Sequence, residues 1–283
     1  MKLYFLLARR NPPLPSQLVI EVCDILSRRG IEIETGIAEE LLLRPDQPLA
    51  DCDLYLLKSY TELSLSLAGV LHAQGANLLN SYPGCYAARN KIVAAQLLAA
   101  AGIPAPASWV TNDLELLRSV VRQRPLILKP YMGWRGEGIR VIRREEDLAT
   151  IPARAEPTLI QEYLSGNGED LRLYIAGDQV FAVRKPFSPT SFAQPGSPVP
   201  VSAELRDIGL RVGEVFGLSL YGVDLIETAD GPKVIDVNYF PGFKGVPGAA
   251  RVVAGHIERC AYASGGLPIP GCLTVSKDRE LTP

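Results

Sequence analysis

Histidine is scarce in this chain: two residues, His72 and His256, among 283. Five cysteines, Cys23, Cys52, Cys85, Cys260 and Cys272, stand far apart, with no CxxC pair and no CxxC–HxxxH spacing. A zinc site therefore lacks its usual donors. An odd, scattered set also argues against a disulfide framework, and the thiols read as buried or incidental. Charge of one sign is lacking as well: 29 Lys and Arg against 31 Asp and Glu leave a formal net charge of −2. That balance gives no reason to expect nucleic acid or an anionic membrane as partner. Long apolar runs are missing. The opening MKLYFLLARR is too short for a signal h-region or a membrane span, and reads as the first strand of a cytoplasmic protein. No Ser-His or Cys-His arrangement offers a protein nucleophile.

What is present is a globular composition, 47% hydrophobic and 21% charged, in a chain longer than one ordinary core. Residues 3–8 read as a buried strand, followed by a Pro-rich loop over 11–15. Ser16 caps a helix running to Arg29, with Gly30 as its stop. Strands over 31–35 and 53–58 and a helix over 61–74 complete a β-α-β-α beginning. This implies a small parallel α/β lobe ending near Pro83. A helix over 89–101 and another capped by Asn112 and running to Arg122 come next. Strands follow over 126–129, 139–143 and 158–164. Hairpins follow over 171–184 and 221–238, with helices over 202–216 and 251–263. Segment 186–201, with five prolines, reads as a functional loop. The run of hairpins points to antiparallel sheets and excludes one continuous doubly wound sheet.

Chemistry-bearing residues recur along this frame. Gly133, Gly136 and Gly138 form G-x-x-G-x-G between two strands. This is neither the dinucleotide fingerprint nor a P-loop. It reads as a flap with free N–H groups over phosphates, or as a plain glycine-rich turn. Lys129 closes the apolar run Leu126-Ile127-Leu128 beside that loop and can aim its ammonium at a phosphate. Lys91, early in a helix, is a weaker second candidate. The segment Gln161-Glu162-Tyr163-Leu164 offers backbone groups to an adenine edge, with Glu169 or Asp170 behind it for ribose hydroxyls. Asp236 and Asn238 are two apart on a strand and share a face. Asp224, on the preceding strand, faces them if the register holds. Two carboxylates and an amide suit Mg²⁺. Arg172 and Arg184, with Lys185, sit on the 171–184 hairpin, placed to neutralise a transferring phosphate or an acidic substrate.

Taken in order and spacing, these motifs resemble the ATP-grasp superfamily over roughly residues 85–250, after a small α/β lobe of the kind that usually precedes it. The run from Lys91 to Pro104, and Asp170-Leu171-Arg172 followed by Gly177-Asp178, resemble the RimK-like carboxylate–amine ligases. Those usually carry Glu-x-Asn where this chain has Asp236-Val237-Asn238. The stretches from Val183 to Phe187 and from Asp236 to Phe243 look closer to inositol polyphosphate kinases of the same fold. The His-Arg substrate signature of those kinases has no counterpart here.

The resemblance implies an α/β plus α+β architecture. Residues 1–84 would form the substrate-side α/β domain and 85–165 a central lobe with the glycine flap. Residues 166–265 would form a lobe with the metal site, and 266–283 a tail. It implies ATP in the cleft between the two α+β lobes, its adenine against residues 161–164. Lys91 and Lys129 would hold its phosphates. One or two Mg²⁺, or Mn²⁺ in their place, would lie on Asp224, Asp236 and Asn238. The expected activity is ligation of a small-molecule or peptide carboxylate to an amine through an acylphosphate. Phosphorylation of a polyol or sugar phosphate and nucleotide binding without catalysis stay open as alternatives. So does a homodimer.

Overall fold

A computed structural model of the chain describes residues 1–9, 15–47, 52–133, 136–151, 156–166, 168–186 and 195–263. Its first sheet is built from β1 (Lys2–Leu7), β2 (Glu32–Ile37), β3 (Leu54–Lys58) and β4 (Leu78–Leu79), all parallel, in the order β2-β1-β3-β4. Crossover helices α1 (Gln17–Arg28) and α2 (Glu62–Ala73) join them. Ser16 and Thr61 cap these helices, each side chain accepting from the N–H three residues on. Gly30 and Gly75 stop them with φ of 80° and 77°, where a side chain would be strained. β4 is two residues long, too short for the apolar pattern to reveal.

The helix expected over 89–101 is α4 (Lys91–Ala100), and a helix not read from the sequence, α3 (Tyr82–Arg89), precedes it. Asn90 breaks them: its side chain accepts from the N–H groups of Ile92 and Val93 and starts α4 afresh. Pro83, the expected end of the first lobe, lies in the first turn of α3.

The second sheet is antiparallel, in the order β5-β8-β6-β7, with β5 (Ser108–Thr111), β6 (Leu126–Pro130), β7 (Arg140–Ile142) and β8 (Thr158–Glu162). Asp113, not Asn112, caps the segment after β5. That segment is a 3₁₀ turn over Leu114–Leu117 and then the short α5 (Arg118–Val121). A further short helix, α6 (Glu145–Leu148), follows β7.

The third sheet, order β11-β10-β9-β12-β13, carries β9 (Glu169–Ala176), β10 (Gln179–Pro186), β11 (Ser197–Val199), β12 (Leu220–Thr228) and β13 (Gly231–Tyr239). Helices α7 (Ala203–Phe216) and α8 (Ala249–Ala263) accompany it. Of the loop expected over 186–201, residues 187–194 lie outside the described residues, as do the tail from 264 on and residues 10–14 of the first Pro-rich loop.

Two cores result. The first and third sheets share one, running from Leu3 and Phe5 through Leu56 to Tyr221, Tyr239 and Ile257. Asn80 locks them together: buried, it accepts from the N–H groups of Ser219 and Leu220 and donates to the Leu220 carbonyl at 2.8 Å. The second sheet packs Leu126, Leu128, Ile142 and Ile160 against Leu117, Val121 and Leu148 in a small core of its own. Among the described residues no helix is long and apolar enough to cross a membrane.

Candidate active site

The third sheet's register puts Arg172 of β9 opposite Asp224 of β12, and Asp224 opposite Asp236 of β13. Directly paired residues share a face, so these three make a row across the sheet. Beyond Asp224 the ladder shifts: Leu225 pairs with Val234, and Ile235 is the extra residue of a β-bulge. The bulge lets Val234 and Leu225 turn together into the core, both fully buried, while Asp236 still faces Asp224. Asn238, two further on, places Nδ2 at 3.5 Å from both Asp224 Oδ2 and Asp236 Oδ2. A half-turn of that amide offers Oδ1 in the same place.

Two half-buried carboxylates side by side need positive charge, and cations face them from both sheets. Arg172 ion-pairs with Asp224. Lys91, the first residue of α4, sets its ammonium 2.5 Å from Asp236 Oδ1. Lys129, on β6 of the second sheet, reaches across to donate to the Ile235 carbonyl at 3.2 Å, the carbonyl of the bulge residue. Burial works to raise the Asp236 pKa, but Lys91 and Lys129 outweigh it and hold the carboxyl below its usual range. Asp224 goes the other way: burial and the neighbouring Asp236 charge push it up against the pull of Arg172. Lys129 is 7% exposed, and desolvation lowers it to about 8.

A cleft of about 160 Å³ opens here between the second and third sheets. Lys91, Lys129, Gly133, Gly136, Asp224, Asp236 and Asn238 line it. Gly133 and Gly136 of the glycine loop border it; Gly133 donates to the Pro130 carbonyl at 3.0 Å and accepts from Arg89 Nη1 at 2.8 Å. Gly136 and Gly138 take φ of 77° and 72°; Gly138 itself does not line the cleft, and residues 134 and 135 lie outside the described residues. Sequence reasoning missed Arg89, hidden in what looked like a helix start, and Tyr60, Glu137 and Ile139, which also line the cleft. No signal in the sequence marks these four.

Residues 161–164 lie beside the cleft rather than in its lining. Gln161 shares the Lys129 face of the second sheet; its Nε2 donates to Ser108 Oγ at 3.1 Å. Its buried Oε1 has no partner among the described residues. The N–H groups of Glu162 and Tyr163, expected to be open to adenine, donate to the carbonyls of Ala107 and Pro125. The Glu162 carboxylate lies 3.6 Å from Arg124, and Arg143 covers the Tyr163 ring at 5.1 Å. Leu164 is partly buried.

Two residues of the hairpin turn away. Arg184 pairs with Leu171, not Arg172, and so stands on the opposite face, ion-paired with Glu227 at 2.6 Å and Glu169 at 3.4 Å. Neither Arg184 nor Glu169 joins the cleft; one residue of register separates them from it. Lys185 and Asp170 pair with each other in register and keep the Arg172 face. Burial, and then Arg172, lower the Lys185 pKa.

Among the described residues no three His, Cys, Asp or Glu side chains gather as a metal cluster. Asp224, Asp236 and Asn238 offer two carboxylates and one amide. This suits an ion that keeps several waters or phosphate oxygens in its shell, as Mg²⁺ does. The sequence profile of the RimK-like ATP-grasp domain matches residues 88–254, which hold every residue of this row. The chain belongs to the RimK-like ATP-grasp family. A probable alpha-L-glutamate ligase 2 of Shewanella sp. (strain MR-4) is 31% identical over 199 residues, 65% of this chain and 67% of that one. The match thus spans about two thirds of that relative. The RimK domain ATP-grasp protein of Sphaerobacter thermophilus DSM 20745 superposes with a TM-score of 0.75 at 21% identity, covering 91% of this chain and all of that one. The ATP-grasp ligase PsnB, solved with a variant of its minimal precursor, Mg and ADP, gives 0.65 at 25% identity over 93% of this chain and 98% of that one. The match falls in the RimK-like branch, and the ATP-grasp fold accounts for the two antiparallel sheets facing each other across the cleft.

Proposed function

We propose that this ATP-dependent ligase joins a carboxylate to an amine through an acylphosphate formed in the cleft between the second and third sheets. One observation carries the reading. The side chains of Asp224, Asp236 and Asn238 converge on one face of the third sheet, while the Lys129 ammonium reaches across from the second to the Ile235 carbonyl beside them. Lys129 and Lys91 hold the phosphates of ATP, and the backbone of the glycine loop covers them. Asp224, Asp236 and Asn238 hold Mg²⁺, or Mn²⁺, one ion or two. The bound ion supplies charge neutralisation on the phosphates. Mg and ADP are present together in the PsnB structure, which makes the pair the first to test here.

A substrate carboxylate oxygen attacks the γ-phosphorus, the bond to ADP breaks, and an acylphosphate results. An amine nitrogen then attacks the carbonyl carbon, and inorganic phosphate and a proton leave as the amide forms. Arg172 and Lys185, on the face of the row, offset negative charge on the transferring group. Loop closure excludes the water that would hydrolyse the acylphosphate. The name of the Shewanella relative makes glutamate the first amine to test, and the precursor in the PsnB complexes makes a peptide the first alternative. ATP consumption of this kind belongs in the cytoplasm.

The test is trapping. ATP, Mg²⁺, a panel of acids and hydroxylamine should give a hydroxamate with the true acid. Phosphate appearing on a hydroxyl substrate with no hydroxamate would make the chain a kinase. Nucleotide binding with no turnover, unmoved by Asp236→Ala, would leave it a binding protein.

A further inference from the structure

The strand that carries Asp236 and Asn238 leaves the sheet through Tyr239-Phe240-Pro241-Gly242-Phe243 in an unusual conformation. Phe240 and Phe243 have φ of 37° and 47°. Side chains other than glycine rarely sit in this left-handed region, so the turn must be held by its surroundings. Its carbonyls are held from one place. The Tyr60 hydroxyl donates to the Tyr239 carbonyl, and the Lys58 ammonium donates to the carbonyls of Phe240 and Pro241, the latter at 3.2 Å. Three consecutive carbonyls are thus gripped by two side chains from the end of β3, in the first sheet.

The side chains repeat the pattern. Tyr239 donates its hydroxyl to the Ser59 carbonyl at 2.7 Å, and its ring stacks on Tyr60 at 4.7 Å. Lys58 lies over the Phe240 ring at 4.8 Å. Lys58, Ser59 and Tyr60, three residues in a row, each touch the segment that begins one residue after Asn238.

We propose that Lys58 and Tyr60 are positioning residues for the cation site: they fix the strained turn, and through it the orientation of Asn238 and Asp236. The inference rests on the assignment of those two residues as metal ligands. It makes the first sheet part of the metal site's support, although no residue of β1 to β4 lines the cleft. Groups that orient ligands from outside are worth about 10- to 100-fold in metal affinity.

The experiment titrates Mn²⁺ alone into the full chain, reading the free ion by electron paramagnetic resonance. Lys58→Met should weaken Mn²⁺ binding about 10- to 100-fold, Lys58→Arg should recover much of it, and Tyr60→Phe should weaken it less. ADP binding in the presence of EDTA, which uses Lys129 and not the ion, should stay at the unmutated value in both Lys58 variants, since Lys58 does not line the cleft. Circular dichroism checks that each variant is folded. Should Lys58→Met destroy the fold, Tyr60→Phe decides. Mn²⁺ binding equal to that of the unmutated chain in folded Lys58→Met, or in Tyr60→Phe where Lys58→Met does not fold, overturns the proposal, and so does a parallel loss of metal-free ADP binding in a Lys58 variant. Failure of the underlying assignment looks different: the unmutated chain then binds Mn²⁺ no better than its Asp236→Ala variant.

Discussion

Lys91 Nζ lies 2.5 Å from Asp236 Oδ1, joining the first residue of α4 to the strand at the heart of the cleft. The ammonium occupies ground next to where a divalent ion would meet the same carboxylate. Lys91 and the ion therefore compete, whereas Lys91 and a polyphosphate cooperate. Lys91→Ala should tighten binding of Mn²⁺ alone by up to about tenfold, because a like charge beside the ion is gone. The same variant should weaken ADP by about tenfold or more through the lost charge-assisted contact. Calorimetry with ADP and resonance titration with Mn²⁺ read the two opposite signs. Movement of both in the same direction removes Lys91 from the phosphate side of the site.

Asp236→Ala takes away the carboxylate that two ammoniums face. Lys91 loses its ion-pair partner, Lys129 keeps only Asp224 as counter-charge, and the proposed cation site loses a ligand. Turnover should fall about 10²- to 10³-fold or more. The fold should persist, since Asp236 faces the cleft and not the shared core. Asp236→Asn keeps the shape without the charge and should fail nearly as badly. ADP release and circular dichroism measure the two halves. Near-normal turnover with Mg²⁺ would mean that the cation binds elsewhere.

Much of this arrangement is written in local pattern. The parallel beginning follows from short apolar runs alternating with Ser- and Thr-capped helices, and these capping signals sit within a few residues of what they control. That Asp236 and Asn238 share a face follows from the two-residue period of a strand. The bulge at Ile235 leaves no mark in Val-Ile-Asp-Val-Asn, because any of those residues can be the extra one. The side of the sheet that Arg184 takes was illegible for a related reason. Pairing Arg172 with Val183 instead of Arg184 changes the register by one residue and reverses the face. Glu162 and Tyr163 looked open to a ligand because their N–H groups go to Ala107 and Pro125, distant in the chain. Pro241-Gly242 announces a turn, but nothing marks Phe240 and Phe243, rather than the glycine between them, as its left-handed positions.

His256 predicts acid sensitivity away from the cleft. It is 4% exposed, with Nε2 3.0 Å from Ser219 Oγ. Burial, helped by Arg259 and opposed by Asp178, lowers its pKa to about 4. In the unfolded chain it titrates near 6.5. Between those values the unfolded state binds more protons, so this contribution to stability is complete above pH 6.5 and is lost as pH falls toward 4. From pH 7 to pH 5 the loss amounts to about 2 kcal/mol. Urea midpoints at the two pH values should show a smaller drop for His256→Gln than for the unmutated chain. Equal drops would mean that the ring titrates in the fold as it does in the unfolded chain.

Lys129 gives a pH dependence of both binding and stability, with opposite signs. In the free protein burial lowers its pKa to about 8, from an ordinary 10.5. A bound polyphosphate restores the proton, since its charge favours the ammonium. Nucleotide affinity should therefore fall as pH rises above 8, by up to about tenfold per unit. Binding near pH 8 should take up protons, seen as a dependence of the calorimetric heat on the buffer. Lys129→Arg, charged throughout, should flatten the profile; Lys129→Ala should bind weakly at every pH. Stability behaves in reverse. Between pH 8 and 10.5 the unfolded chain holds a proton that the folded chain has lost, so stability rises across the window in which affinity declines. An affinity profile that stays level from pH 7.5 to 9.5 while stability climbs would show that Lys129 titrates as a buried group without ever meeting the phosphates.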